Sequence, residues 1–203
     1  MSGDAATLEH YEQSVPYYTL AFDASHSRHL DAFLDRLPEG ARVLELGCGT
    51  GRDAARMIER GFDVDPTDGT AAMIVKANER HGVNARQMRF DELAAHEEYD
   101  AVWAHACLMH CPLGALPSVL RAVHDALVPG GLHHASFKRP EAGEADEFRD
   151  DRGRLNSRIT PERVRALYEE AGFTLLDLEP WQGKGADGVI RHWTSATVMR
   201  PAR

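Results

Sequence analysis

The chain has 203 residues, 43% of them hydrophobic and 27% charged, which suits a single globular domain whose core needs no disulfides. Its formal net charge of -9 repels phosphate backbones unless a basic stripe is present. The closest cluster, Arg149, Arg152, Arg154 and Arg158, is interrupted by acids, so no nucleic-acid partner is expected. Only three cysteines (Cys48, Cys107, Cys111), no apolar run near the ~18 residues of a membrane span, and a first segment MSGDAATLEH without a basic, apolar leader predict a cytoplasmic chain with no membrane partner.

Residues 1–38 read as a helical cap carrying Tyr11, Tyr17, Tyr18 and Phe22. After residue 40 strand and helix patterns alternate, which predicts a parallel sheet covered on both faces. The first strand is RVLEL, residues 42–46. A helix follows over 51–60, with Thr50 as N-cap and Asp53 completing a capping box. A second strand spans 62–66, a second helix 70–80, and a weak third strand 84–89. YDAVWA, residues 99–104, is the fourth strand. Leu116, Val119, Leu120, Val123 and Leu127 have helical spacing, and Pro129-Gly130-Gly131 is read as the stop. The fifth strand is 132–138. Between it and a helix opened by Thr160-Pro161 lies a polar connection, 139–159, whose length suits a lid. Strands near 173–178 and 192–199 complete the chain.

The segment VLELGCGTG at 43–51 carries the strongest signal. It ends an apolar strand and opens a helix, as a cofactor loop must. Gly47, Gly49 and Gly51 permit a tight turn and close approach of a ligand, and the helix N-terminus behind them suits an anionic group. The spacing is G-x-G-x-G, with Glu45 two residues before it and Arg52 after it, unlike the G-x-G-x-x-G of dinucleotide folds. Asp68, beside Gly69, follows the second strand about 20 residues on, where a carboxylate can accept ribose hydroxyls.

Together with DVDPTD (63–68), YDAVWAHACLMH (99–110) and LVPGGLHHASFK (127–138), this loop resembles the Rossmann-like, class I S-adenosylmethionine (SAM)-dependent methyltransferases, over roughly residues 8 to 200. The resemblance implies an α/β three-layer sandwich: a seven-stranded, mostly parallel sheet with an antiparallel last strand. It implies SAM as cofactor, its methionine part on the glycine loop and its ribose on Asp68. It also implies that Phe90-Asp91-Glu92-Leu93 lies beside the adenine, although the sequence departs there from the usual pattern. Ala104 is expected beside the cofactor, and His110 resembles a histidine that in relatives is structural or lies beside it. Tyr11 and Tyr18 match paired tyrosines that close over it, while simple packing of the cap on the domain explains them equally well.

The expected activity is methyl transfer to an oxygen or nitrogen of a small molecule. The alternatives are a methyltransferase of modified uridines in tRNA and a non-catalytic SAM-binding protein. His105, the first polar side chain beyond the fourth strand, is the candidate base, with Tyr18 as hydrogen-bonding partner; a structural histidine fits the position as well. His133 and His134 lie within the fifth strand, so at most one faces a site. Lys138 and Arg139 at its end, with Arg152 and Arg154 of the connection, are candidates to meet an anionic substrate. The spacing of His105, Cys107, His110 and Cys111 is not that of a zinc site, and no metal is expected. Oligomeric state is not legible.

Overall fold

The computed structural model describes residues 3–21, 26–185 and 187–202; Phe22 lies outside them. Nine strands are described, β1 (Arg42–Leu46), β2 (Asp63–Asp68), β3 (Arg86–Gln87), β4 (Tyr99–Ala104), β5 (Leu127–Lys138), β6 (Glu147–Arg149), β7 (Leu155–Ser157), β8 (Thr174–Lys184) and β9 (Ile190–Met199). Seven of them form one sheet in the order β3-β2-β1-β4-β5-β9-β8. β1 pairs in parallel with β2 and β4, and β5 continues the parallel set beside β4. β9 runs antiparallel to both β5 and β8. The order reverses between β1 and β4, and such a switch point opens a crevice at the carboxyl ends of the strands.

The helices are α1 (Ala5–Gln13), α2 (Val15–Ala21), α3 (Leu30–Leu34), α4 (Arg52–Glu59), α5 (Ala71–His81), α6 (Leu116–Ala126) and α7 (Pro161–Glu170). Near-continuous apolar strands such as β1 and β4 need cover on both faces. On one face α6 and α7 supply Leu116, Leu120, Val123, Val164 and Tyr168 against Leu44, Val102 and Phe137. On the other, Leu30, Phe33 and Leu34 of α3 and Met57 of α4 pack on Val43, Ala101 and Trp103. His133 belongs to the first face: its Nδ1 is 2.9 Å from the Val102 carbonyl oxygen and its Nε2 3.0 Å from Tyr168 Oη. It is thus a satisfied core histidine, and burial pushes its pKa down to about 4.

Two local expectations are corrected. The start of α4 has no capping box: Gly51 is the N-cap, in the left-handed region at φ +81° with no side-chain cap bond. Asp53 instead turns inward, accepting from the Ser27 backbone N–H at 2.8 Å and from Trp103 Nε1 at 3.0 Å. Pro129-Gly130-Gly131 is not the helix stop; α6 ends at Ala126, and these residues lie inside β5, where pairing with β4 slips between Tyr99 and Ala101. Residues 139–159 contain the hairpin β6–β7. All three residues of β7 are buried, Leu155 N–H donating to Thr7 Oγ1 and Ser157 Oγ to the Cys111 carbonyl.

Candidate active site

A cavity of about 270 Å³ opens over the carboxyl ends of β1, β2, β4 and β5. Its floor is the loop between β1 and α4, where the three glycines do different work. Gly47 sits at φ +70°, and a Cβ there would overlap that of Cys107. Gly49, at φ +54°, has open space where a Cβ would stand. Gly51 faces away from the cavity, against Ala77 of α5, where a Cβ would meet the Ala77 Cβ at 2.9 Å; its role is packing, not ligand contact.

Asp68 ends β2 and ties this loop to the next. Its Oδ2 accepts from Gly49 N–H at 3.0 Å and its Oδ1 from Thr70 N–H at 2.9 Å. Burial raises its pKa against the pull of those two donors. Glu45 also lines the cavity, and its Oε2 is buried with no hydrogen-bond partner among the described residues. Desolvation and the neighbouring Asp53 push its pKa well up. Gly69 lines the same wall beside Met88, Arg89 and Phe90.

Asp91, Glu92 and Leu93 do not line the cavity. A single helical turn at Phe90–Glu92 directs the two carboxylates to Arg89, at 3.5 and 3.0 Å, and buries Leu93 in the core. The residues at the expected adenine position are therefore Met88, Arg89 and Phe90. Ala104 is fully buried in β4 and also lies off the cavity.

The cap closes the other side. Tyr11 Oη is 2.8 Å from His110 Nε2, and His110 Nδ1 is 2.6 Å from the Leu155 carbonyl oxygen. That carbonyl requires the proton on Nδ1, so Tyr11 donates to Nε2. Burial lowers the His110 pKa to about 3. Arg154 crosses from the hairpin to donate to Tyr18 Oη at 2.6 Å and Tyr11 Oη at 3.2 Å, while pairing with Asp150 at 2.7 Å. Arg152, also on the wall, stacks its guanidinium over Tyr17 at 4.4 Å. Arg139 does not reach the cavity, because it follows Lys138 and successive strand residues face opposite ways.

His105 lines the cavity at the end of β4, its Nδ1 3.3 Å from Ser136 Oγ. It is near-parallel to Trp103 at 5.7 Å and to Trp181 at 6.2 Å. Trp181 continues to Trp193 at 5.6 Å and 14°. Burial pushes the His105 pKa down to about 4, against the opposing pull of Asp53, so the ring is neutral at pH 7. Tyr18 lies with Arg154 and, at 3.3 Å, His10. Sequence reading missed Asp53, Trp181 and Trp193. The strands expected near 173–178 and 192–199 are longer, β8 running to Lys184 and β9 starting at Ile190.

A family model described as "Methyltransferase domain" matches residues 43–131. The chain is similar to a ubiquinone biosynthesis O-methyltransferase of Xanthomonas axonopodis pv. citri, 34% identical over 171 residues, covering 72% of this chain and 70% of that one. It belongs to the class I SAM-dependent methyltransferases. A trans-aconitate 2-methyltransferase of Deinococcus radiodurans is 27% identical over 198 residues, covering 86% of this chain and 75% of the relative. Among solved structures, the fold is shared with a Burkholderia thailandensis 1,6-didemethyltoxoflavin-N1-methyltransferase with bound 1,6-didemethyltoxoflavin and S-adenosylhomocysteine (TM-score 0.69, 23% identity, 94% of this chain and 79% of that one).

The residues of this methyltransferase fit SAM. The buried, partnerless Glu45 oxygen stands among the acids Asp53 and Asp68, an environment that a cationic ligand offsets. The open space at Gly49 admits a ligand against the backbone. Each Asp68 oxygen keeps a lone pair for a hydroxyl after accepting its one backbone N–H. Glu45, Gly47, Gly49 and Asp68 would hold the cofactor, with Met88 and Phe90 beside its base.

Proposed function

We propose that this methyltransferase alkylates an oxygen or nitrogen of a small molecule bound at the His105–Lys138 side of the cavity. One observation carries this reading: a single cavity has the glycine loop and Asp68 at one side and His105, Lys138, Trp181 and Trp193 at the other. SAM, when bound, supplies an activated methyl group whose transfer yields S-adenosylhomocysteine and, from an O–H or N–H acceptor, one proton. The chain's own residues then need to orient the acceptor and receive that proton, and orientation alone can supply roughly 7–11 kcal/mol.

His105 is the proposed proton acceptor. Its Nε2 makes no hydrogen bond among the described residues, while Nδ1 is engaged by Ser136. With a pKa near 4 it is a weak base, so it takes the proton late, once the new bond has made the acceptor acidic. Tyr18 and Arg154 form the facing wall of the cap. The hairpin carrying Arg152 and Arg154 is proposed to open and close over the acceptor together with α1 and α2.

Nucleic acid is proposed not to be the acceptor. The arginines nearest to a basic stripe are taken by the chain's own groups: Arg149 by Asp4, Arg154 by Asp150 and Arg158 by Glu144. The test is incubation with isotope-labelled SAM and a metabolite extract, with bulk tRNA in parallel. Label in a small molecule supports the reading; label confined to tRNA, or none in any acceptor despite tight S-adenosylhomocysteine binding, overturns it.

A further inference from the structure

The acceptor side of the cavity holds an ammonium with no ion-pair partner of its own among the described residues, the acid that acts on it, Asp150, being paired with Arg154. Lys138 is only 8% exposed and lines the cavity. Its Nζ donates to Asn156 Oδ1 and lies 6.0 Å from the centre of the Trp193 ring. No carboxylate lies within ion-pair distance of it among the described residues. The cations around it all have one: Arg154 has Asp150 at 2.7 Å, Arg191 has Asp187 at 2.5 Å, and Arg158 has Glu144 at 2.9 Å. An ammonium carries three donors, and one is used. A charge held out of water without a counter-ion is costly and marks a place where a ligand brings the opposite charge.

The surface beside it is an offset stack of aromatic rings. Trp193 is level with Lys138 across β5 and β9, and Trp181 is level with Trp193 across β9 and β8. The two indoles are parallel within 14° and continue to His105 within 18°. Ser136 and Ser195, paired across the same two strands, are small enough for Trp181 to lean toward His105. Gly183 permits that pose, since a Cβ there would overlap the Trp181 ring. Both indole N–H groups are spent inside the protein, on Ser195 Oγ at 2.9 Å and the Gly183 carbonyl at 3.4 Å. What the wall offers a ligand is therefore apolar ring edges and the uncovered parts of the offset faces.

We propose that this side of the cavity is a subsite for a planar aromatic acid, its ring against Trp181 and Trp193 and its carboxylate on Lys138. The proposal rests on the small-molecule reading above and narrows it: the methylated oxygen or nitrogen is a ring substituent directed at His105. Lys138 then determines specificity without touching the reacting atoms.

The test compares 4-hydroxybenzoate, 4-hydroxybenzamide and succinate by calorimetry and tryptophan quenching, with and without saturating S-adenosylhomocysteine. The acid is expected to bind roughly tenfold or more tightly than its amide, as one charge-assisted contact provides, and to exceed succinate by a similar factor. Lys138→Met should erase the acid-over-amide preference while leaving S-adenosylhomocysteine affinity and melting temperature near wild type. Lys138→Gln, which keeps a donor for Asn156, is the second variant should the first fold poorly. Trp181→Leu should weaken both ring compounds alike. Equal binding of acid and amide by the wild type, a preference that survives both Lys138 variants, or succinate matching the aromatic acid would each overturn the subsite. Loss of S-adenosylhomocysteine binding alone would overturn the cofactor assignment instead, since the acid–amide comparison is also read in the cofactor-free protein.

Discussion

Replacing Gly47 and Gly49 by alanine, one at a time, separates packing from ligand approach within one loop. Both glycines have left-handed φ, +70° and +54°, so either alanine costs about 1–2 kcal/mol of backbone strain. At Gly49 nothing stands within 4 Å of the new Cβ, and strain is the whole cost to stability. At Gly47 the Cβ meets Cys107, whose Sγ is held by the Leu46 carbonyl at 3.0 Å and cannot swing aside cheaply. Overpacking of that kind adds roughly 1–3 kcal/mol. In a chain of this size about 2–4 °C accompanies each kcal/mol, so Gly47→Ala should melt about 2–12 °C below Gly49→Ala. Ligand affinity should rank differently. Gly49→Ala fills the open space on the cavity side and should weaken S-adenosylhomocysteine about tenfold or more even where the fold survives. Thermal melts and calorimetry on both variants read the two effects. A double-mutant cycle with Cys107→Gly isolates the overlap. Equal melting of the two variants, or zero coupling between positions 47 and 107, would refute the reasoning.

Asp68→Asn leaves one acceptor oxygen for two backbone donors, so it should cost about 1–3 kcal/mol of stability together with a large loss of S-adenosylhomocysteine affinity; unchanged affinity by calorimetry would remove Asp68 from the cofactor site. The neutral histidines predict acid sensitivity. His105 and His133 have folded pKa values near 4 and His110 near 3, against about 6.5 unfolded. The unfolded state therefore binds more protons below about 6.5, and stability, fully present above that pH, falls as pH drops toward 4. Each group contributes at most about 1.4 kcal/mol per pH unit, and a flat urea-unfolding profile between pH 4.5 and 7 would contradict this. His105→Gln should lower turnover roughly hundredfold, the lower end for a positioned base, with normal S-adenosylhomocysteine binding; near-wild-type turnover would leave orientation as the whole mechanism. The wild-type rate should show no histidine inflection between pH 6 and 8.

The glycine loop, Asp68 and His105 were legible because each is fixed by local grammar: an apolar strand ends, a special backbone turn or a polar side chain follows, and the parallel fold puts all such ends on one edge. What escaped depends on information that spacing does not contain. Asp53 matches a capping box, yet the left-handed Gly51 takes the cap and frees the carboxylate to turn toward Trp103. Asp91 and Glu92 sit in the expected stretch, but one helical turn aims both at Arg89. Trp181 and Trp193 become neighbours only through the pairing of β8 with β9. The separation of Lys138 from Arg139 was accessible in principle, since alternation along a strand allows only one of two adjacent residues to face the cavity.

The ties between the cap and the hairpin join residues remote in sequence: Leu155 to Thr7 across 148 positions, Arg149 to Asp4 across 145, Arg154 to Tyr18 across 136. The cofactor floor is local by comparison, with Gly49 and Asp68 only 19 apart. Closing loops of such different length predicts an order of assembly, the floor forming with the early sheet and the roof when the chain's two remote segments meet. The roof is expected to behave as a separable cooperative unit, tied mainly by polar contacts, of which Leu155 N–H to Thr7 Oγ1 is buried. It can detach while the sheet stays folded, and amide exchange should report it as one opening event shared by residues near 4–18 and 149–157. On that expectation, entry to the cavity and partial unfolding would be the same motion.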